Sequence, residues 1–266
     1  MKLQCIVVTN DDGIDAPGLK VAEALAAELA EQVWVFAPAS DQSGMAQALS
    51  MHHPLRVVAH GARRYSVSGT PADCVMTALG GTFMAGLKPD LIISGVNWGM
   101  NLSDSVMYSG TVGAAVAAAH FDTPAIALSQ AFSDRNDWDF RSSETWAKAV
   151  VEKLWLARDT FGFAWNINFP AGAADRVDGL RFTRQASGAM VAPRLIERVD
   201  SEGNAEHWIG FERSFDGIDD AVSDVRAVNE GYVSAMPLKR ERCDEARLAD
   251  IGAGRQWTLD RQTGIR

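Results

Sequence analysis

The sequence predicts an α/β fold built on a mostly parallel sheet, and two observations support this prediction. Along the first 170 residues, short runs of apolar and β-branched residues alternate with helical stripes. Such alternation is typical of βαβ units, whose right-handed crossovers make neighbouring strands parallel. Beyond Pro170 helical stripes become rare and β-like segments follow. We therefore predict an α/β core over residues 1–170, and a smaller β-rich extension with a tail over residues 171–266.

The first elements are two strands, a helix and a hairpin. Each strand is a run of apolar and β-branched residues, and these strands are Leu3–Thr9 and Val33–Ala37. Between them, apolar residues recur every four positions from Val21 to Leu29, which predicts a helix over Gly18–Glu31. Two short β segments around a basic, glycine-containing turn predict a hairpin, at Leu55–Val58 and Tyr65–Val67.

The rest of the core continues the same alternation. Thr70 followed by Pro71 predicts a helix start, because threonine caps a first turn and proline fits its first position; this helix should end near Gly80. The later strands are apolar runs at Asp90–Ser94, Ala125–Leu128 and Ile167–Phe169. The later helices are Thr111–His120 and Ser142–Arg158.

The segment after Pro170 has a weaker pattern. Its β-like pieces are Leu180–Thr183, His207–Phe211 and Gly231–Ala235. Glycine, aspartate and asparagine around Asp200–Asn204 are typical of a hairpin tip. The charged tail after Lys239 carries a weak helical signal.

The composition disfavours several classes of function. With 34 acidic and 25 basic residues the formal net charge is −9, which argues against a nucleic-acid coat and a basic membrane-surface protein. No apolar run approaches the ~20 residues of a membrane span. Cys5, Cys74 and Cys243 lie far apart, so we expect reduced thiols in a cytoplasmic protein. The negative net charge does not exclude an anionic substrate, because a bound divalent cation can reverse the local charge.

Polar loops follow the predicted strands at their carboxyl ends, where open α/β sheets bind ligands. The first loop contains Asp11 and Asp12, adjacent carboxylates that repel each other unless a cation or hydrogen-bond donors compensate. Hard divalent cations bind such oxygen clusters. The simpler interpretation is a turn with helix-capping acids, since aspartate is common in both.

Two further loops offer neutral oxygen ligands. Ala39–Ser50 contains hydroxyl groups, although alone it would be an ordinary surface loop. Ser94–Asn101 contains Asn97 and Asn101, whose side chains are equally common in turns. Together with the aspartates, one hydroxyl and one amide would suit Mg²⁺ or Mn²⁺.

The fourth loop, Tyr108–Thr111, begins an alanine-rich helix with a Ser-Gly-Thr sequence. Such a helix start can bind phosphate through backbone N–H groups and the helix dipole, although an ordinary N-cap needs no ligand. With a cation nearby, the four loops predict metal-assisted phosphomonoester hydrolysis. Neither GxxxxGK[ST] nor a GxGxxG after the first strand is present, which disfavours the usual ATP and dinucleotide sites.

Seven segments carry these motifs along the chain: TNDDGIDAPG (Thr9–Gly18), SDQSG (Ser40–Gly44), SGTPADCV (Ser68–Val75), PDLIISGVNWGMN (Pro89–Asn101), YSGTVGAA (Tyr108–Ala115), NINFP (Asn166–Pro170) and VNEGYVSAMPL (Val228–Leu238). In this order and combination they resemble the SurE (stationary-phase survival protein) family of metal-dependent 5′/3′-nucleotidases. The resemblance covers most of residues 1–238. Each segment alone is a weak signal, and their combination is specific.

The resemblance implies a Rossmann-like three-layer core and a β extension used in oligomerisation, with homodimers or tetramers as the assembled form. It implies hydrolysis of nucleoside 5′- and 3′-monophosphates with one Mg²⁺ or Mn²⁺ ion per subunit. The implied metal ligands are Asp11, Asp12, Ser43 and Asn97, with Asp11 and Asp12 also catalytic. The implied phosphate and substrate contacts are Ser109, Gly110, Thr111 and Asn101.

The sequence also departs from the family pattern and leaves alternatives open. The usual Thr-Pro-Leu begins with Met236 here, and Trp98 and Met100 make the third loop bulkier than expected. These two side chains could stack on a base or pack in the interior. A non-enzymatic nucleotide-binding regulatory protein on the same core is the alternative function, since a fold does not fix function.

Overall fold

The computed structural model describes residues 2–134, 136–158, 164–172, 174–218, 220–251 and 253, and the backbone of residues 259–260 and 264–265. Its strands, in chain order, are β1 (Leu3–Thr9), β2 (Ala30–Pro38), β3 (Val57–Gly61), β4 (Arg64–Val67), β5 (Leu91–Trp98), β6 (Ala125–Gln130), β7 (Ala164–Phe169), β8 (Gly179–Phe182), β9 (Met190–Val199), β10 (Ala205–Arg213), β11 (Tyr232–Pro237), β12 (Leu259–Asp260) and β13 (Gly264–Ile265). Its α-helices are α1 (Pro17–Leu29), α2 (Pro71–Gly80), α3 (Gly110–His120), α4 (Arg141–Leu156), α5 (Asp224–Asn229) and α6 (Glu245–Ile251). None of the helices in these residues is long and apolar enough to cross a lipid bilayer.

Nine of the described strands pair into one sheet, in the order β3-β4-β2-β1-β5-β6-β7-β11-β8. β1 runs parallel to both of its neighbours, with Val8 opposite Val35 of β2 and Thr9 opposite Ser94 of β5. The antiparallel pairs in this sheet are β3–β4 and β7–β11. Because the chain leaves β1 first toward β2 and later toward β5, a crevice opens at the carboxyl ends of β1 and β5.

Helices cover both faces of the sheet and complete three layers. On one face, α1 and α4 bury an apolar stripe that includes Leu19, Leu29 and Val151. On the other face, α2 and α3 bury smaller residues such as Val75 and Ala114. The small side chains of α3 let this helix approach the sheet and nearby loops closely. The predicted α/β fold with a mostly parallel sheet is confirmed.

β5 is longer than the sequence predicts. It continues to Trp98, so the predicted loop from Gly95 is in part a strand. The reason is Val96, an apolar residue within a polar segment, which is fully buried in the core. The pairing of β5 with β6 shifts register between Ser94 and Asn97, and an irregularity of this kind redirects the side chains that follow it.

The segment after Pro170 is only partly an extension of the core. β11 and β8 continue the main sheet beyond β7, because residues such as Ala235 belong to the same apolar cluster as β1. β9 and β10 pair with each other outside this sheet, and residues 190–213 form an arm. The predicted hairpin tip at Asp200–Asn204 joins these two strands and is confirmed. The division of the chain at residue 170 stays a prediction, and much of the tail lies outside the described residues.

Candidate active site

A cavity of about 310 Å³ opens at the crevice between β1 and β5, within the size range of small-ligand sites. Loops after β1, β2 and β5 surround it together with the start of α3, as expected for the carboxyl ends of parallel strands. Six residues that the sequence predicts for the site line it: Asp11, Asp12, Ser43, Asn97, Asn101 and Ser109. The other two pack against Asp11: Thr111 hydrogen-bonds its carboxylate, and Gly110 lies close to its side chain.

Asp11 is buried at the end of β1 and is held by the start of α3. Its Oδ1 accepts a hydrogen bond from the Thr111 hydroxyl at 2.5 Å, and its Oδ2 accepts one from the Thr111 backbone N–H at 3.1 Å. This approach requires glycine at position 110, because a Cβ there would lie 2.9 Å from the Cβ of Asp11. Burial raises the pKa of Asp11, and the two bonds from Thr111 oppose that rise.

Asp12 is half-buried beside Asp11, and its pKa is raised to about 7. Burial is the main cause, the negative charge of Asp11 adds to it, and the backbone N–H of Trp98 opposes it. Asp41, on the loop after β2, raises the pKa of both carboxyls further. Residue type alone does not indicate that Asp41 acts on this site, because it is the single acid of the polar loop Ala39–Ser50 and aspartate is common in turns.

The loop after β2 brings Ser43 to the cavity. The backbone N–H of Gln42 donates to the carbonyl of Asp11 at 2.7 Å, which ties the loop to the end of β1. The backbone N–H of Ser43 donates to Oδ1 of Asp41, also at 2.7 Å. Ser43 itself stays exposed, so its hydroxyl is accessible to a ligand in the cavity.

Comparison with known proteins shows the family of this chain. Residues 6–191 match the family model of survival protein SurE. The chain belongs to the SurE family. It is 44% identical over 246 residues to the 5′-nucleotidase SurE 1 of Burkholderia lata, covering 92% of this chain and 94% of that protein. It is 43% identical over 252 residues to the 5′-nucleotidase SurE of Azorhizobium caulinodans, covering 92% and 98% respectively.

The fold agrees with that of a solved SurE structure. The crystal structure of the SurE protein from Aquifex aeolicus matches this chain with a TM-score of 0.77 at 29% sequence identity. The match covers 93% of this chain and 98% of that one. The family resemblance seen in the sequence motifs is therefore confirmed over nearly the whole chain.

In this SurE family member, the end of β5 and the loop after it carry the two predicted asparagines. The side-chain nitrogen of Asn97 donates to the carbonyl of Gly99 at 2.8 Å, so the amide oxygen is the end suited to a cation. Asn101 is buried deeper, and its side-chain nitrogen donates to the hydroxyl of Ser129 at 2.9 Å. The two residues therefore lie at different depths of one cavity wall.

Two asparagines of β7 hold Asn101 in place. Oδ1 of Asn168 accepts from the backbone N–H of Asn101 at 2.8 Å, and the side-chain nitrogen of Asn166 donates to its carbonyl at 2.8 Å. Both are fully buried, and residues two apart on a strand share a face. The alternation in Asn-Ile-Asn indicates that both side chains share one face of a strand, but it does not indicate that they contact Asn101.

The oxygen donors at this site fit a hard divalent cation. Two carboxylates, a hydroxyl and an amide line one cavity, and such sets suit Mg²⁺ or Mn²⁺. The raised pKa values of Asp11 and Asp12 fit as well, because a cation would favour the ionised carboxylates. Within the described ranges no three His, Cys, Asp or Glu side chains are grouped for metal binding, so neutral oxygens are needed too. The role of each ligand stays a prediction.

From the sequence, Trp98 could either stack on a base or pack in the interior. In the structure its ring packs against three other aromatic rings. Its ring centroid lies 5.2 Å from those of Phe132 and Trp138, both in stacked orientation. It also meets Phe140 edge-on at 5.3 Å. Packing is therefore its main structural role, although part of the residue lines the cavity.

Another part of the lining is aromatic and was not predicted. This aromatic wall consists of Tyr108 before α3, Phe211 and Arg213 at the end of β10, and Phe215 just beyond. Phe211 and Arg213 both reach the cavity, and the β9–β10 pairing shifts register between Glu212 and Arg213. The sequence contains no signal that this end of the arm meets the loops of the core, because that contact depends on how the arm folds back.

Proposed function

We infer that this chain is a 5′-nucleotidase, which hydrolyses a nucleoside monophosphate to nucleoside and phosphate. The observation that carries the inference is the pair Asp11 and Asp12, brought with Ser43 and Asn97 into one cavity of a SurE family chain. The names of the relatives at 44% and 43% identity point to the same activity. We extend the proposal to 3′-monophosphates, as the family resemblance implies.

We further propose that Asp11, Asp12, Ser43 and Asn97 hold one Mg²⁺ or Mn²⁺ ion per subunit. When bound, the ion supplies positive charge that polarises the phosphoryl group and acidifies the attacking water. Asp11 and Asp12 supply the negative charge that retains it. Support comes from the raised pKa values of these two carboxyl groups, since a bound cation would favour their ionised forms.

The start of α3 positions both the carboxylate and the phosphate in this proposal. Thr111 uses its hydroxyl and its backbone N–H on Asp11, so it acts as a positioning residue. The Ser109 hydroxyl accepts from the backbone N–H of Val112 at 3.1 Å and caps the helix. Phosphate contact then falls to the Gly110 backbone N–H and to Ser109, at the positive end of the helix dipole.

The decisive experiment measures phosphate release from a panel of nucleoside monophosphates by Asp11→Asn, Asp12→Asn and the wild type. Each protein is assayed with Mg²⁺, with Mn²⁺ and after chelation. We expect metal-dependent release by the wild type and none by the two variants. Asp15→Asn is the matched control, since Asp15 is an exposed carboxylate near the same loop.

Two outcomes would overturn the proposal. Near-normal rates in both aspartate variants at saturating metal would remove these residues from the chemistry. A folded wild type that releases no phosphate with either metal would favour the non-enzymatic nucleotide-binding protein on this core.

We also propose that the protein assembles as a homodimer or tetramer through the arm. Large apolar side chains are exposed on both faces of the arm: Val191, Leu195, Ile196, Val199, Trp208 and Ile209. Isolated two-stranded hairpins are marginally stable, and exposed apolar patches mark interaction surfaces. A second copy of the chain would cover these residues.

We place the protein in the cytoplasm. The cysteines support this location, because Cys5, Cys74 and Cys243 are all unpaired and Cys243 is exposed. An exposed free thiol persists most readily in a reducing compartment.

A further inference from the structure

We propose that the aromatic wall is a nucleobase subsite, in which Tyr108 and Phe211 stack on the base and Arg213 donates hydrogen bonds to its acceptor atoms. The inference rests on the proposed function. It adds a binding site for the part of the substrate that does not react.

The lining of the cavity divides into two chemistries. Around Asp11 and Asp12 it offers carboxylate, hydroxyl and amide groups, which suit a phosphate and a cation. A base instead presents a flat π face and acceptor atoms along its edge, which require aromatic rings and donors. The aromatic wall supplies those groups in the same cavity.

Tyr108 and Phe211 come from distant parts of the chain and meet at the cavity. Their ring centroids are 5.6 Å apart and their planes are tilted by 33°. Tyr108 remains 49% exposed and Phe211 remains 36% exposed, so both rings retain apolar surface that a ligand can cover. A planar base is the part of a nucleotide that would cover it.

Arg213 is the one cationic side chain in the described lining of this cavity. Among the described residues no ion pair involves Arg213, whereas Arg194 on the same arm pairs with Glu212 at 2.7 Å. A guanidinium presents several donors in a fixed plane, which matches the edge acceptors of a purine such as guanine O6 and N7.

The chain places this wall beside the phosphate end. Tyr108 directly precedes Ser109, where α3 begins. Phe211 and Arg213 both line the cavity. Phe121, at the other end of α3, is also exposed and aromatic and lies outside the arm, so it provides a matched control outside the cavity.

The test compares three constants for the assembled protein: KM for AMP, the inhibition constant of adenosine and that of inorganic phosphate. Phe211→Ala should raise the first two about tenfold, since stacking on one ring is lost, and leave the phosphate constant within about twofold. Arg213→Ala should act in the same direction. Phe211→Tyr, which keeps the π face, should retain the wild-type values, and Phe121→Ala should leave all three unchanged.

The inference is overturned if Phe211→Ala leaves the KM for AMP unchanged, or if it raises the inhibition constant of phosphate as much as that of adenosine. Circular dichroism and molecular mass establish that each variant is folded and assembled, and Phe211→Leu replaces Phe211→Ala if the latter is not. If the wild type hydrolyses no nucleotide, the proposed function fails by itself. Calorimetric binding of adenosine to the wild type and Phe211→Ala then decides the subsite separately.

Discussion

In the metal-free protein, burial disfavours the ionised form of the Asp12 carboxyl, so the stability of the fold depends on pH. The folded pKa of Asp12 is about 7 against an ordinary value of 3.8, with Asp11 and Asp41 facing it. The folded state therefore binds the proton more tightly than the unfolded state. The resulting stabilisation is complete below about pH 4 and is lost as the pH rises through about 7.

We therefore expect metal-free Asp12→Asn to melt at a higher temperature than the wild type at pH 8, with a smaller difference at pH 5. Added Mn²⁺ should raise the melting temperature of the wild type at pH 8 and narrow the difference. Thermal melts in chelator and in Mn²⁺ at both pH values measure this. Asp15→Asn is the control, and a difference that does not change with pH contradicts the prediction.

Thr111 offers a milder change at the same carboxyl group. Thr111→Val keeps the shape of the side chain and the backbone hydrogen bond, but it removes the hydroxyl that bonds Oδ1 of Asp11 at 2.5 Å. Loss of a partner that orients a metal ligand lowers activity or metal affinity by roughly 10- to 100-fold. We expect kcat/KM for AMP to fall within that range.

The matched control is Thr77→Val, which removes a hydroxyl bonded to the Asp73 carbonyl within α2. That variant should retain wild-type kcat/KM. A Thr111→Val enzyme within twofold of the wild type would show that the hydroxyl does not position Asp11.

Site residues could be predicted from the sequence where a reactive side chain directly follows a predicted strand. Asp11 and Asp12 are visible in the sequence because two acids directly follow a buried strand. Asp41 and the pair Asn166 and Asn168 act through three-dimensional proximity and burial. Neither property can be read from residue type alone.

At the scale of elements, the contact between α3 and the loop after β2 controls the position of Ser43. A Cβ at Gly113 would lie 1.9 Å from the carbonyl oxygen of Ala46, and this is backbone that no rotamer change can move aside. We expect Gly113→Ala to displace the loop. A displacement of about 1 Å at a catalytic site can reduce the rate by about 100-fold.

The measurement is kcat/KM for AMP together with the melting temperature. Gly80→Ala is the control, because no atom of the described residues lies within 4 Å of a Cβ at this helical position and alanine favours helix. Gly80→Ala should match or exceed the wild-type melting temperature and keep its activity. Full activity in Gly113→Ala would mean that the loop tolerates the shift.

Elements with a clear local pattern were predicted, including β segments at the positions of β8 and β11, whereas the pairing between strands distant in sequence was not. Thr70 caps α2 with reciprocal bonds to Asp73, as a local capping signal should. β9 was missed because Pro193 and its charged residues break the strand pattern. β8 and β11 are short strands whose place in the main sheet depends on pairing with each other and with β7.

At the scale of the whole molecule, the cavity combines segments from opposite ends of the chain. Asp11 lies in the loop directly after the first strand, and Arg213 belongs to the arm about 200 residues later. The core supplies the charged end of the cavity and Tyr108 of the aromatic wall, and the arm supplies Phe211 and Arg213. Under the proposals above, the core alone carries the reaction, whereas the core and the arm together set the choice of base.

The arm also carries the proposed assembly surface, and one cross-strand pair tests it. Ile209 of β10 lies directly opposite Leu195 of β9, and these residues are 79% and 68% exposed. Stable interfaces bury about 800 Å² per partner around an apolar centre, so a charge placed at that centre should prevent association. We expect Ile209→Asp to reduce the mass measured by light scattering to that of one 28.7 kDa chain. Leu156→Asp, at an exposed apolar residue on α4 outside the arm, should keep the wild-type mass. The surface is assigned wrongly if Ile209→Asp remains assembled, or if the wild type is already a single chain at every concentration measured.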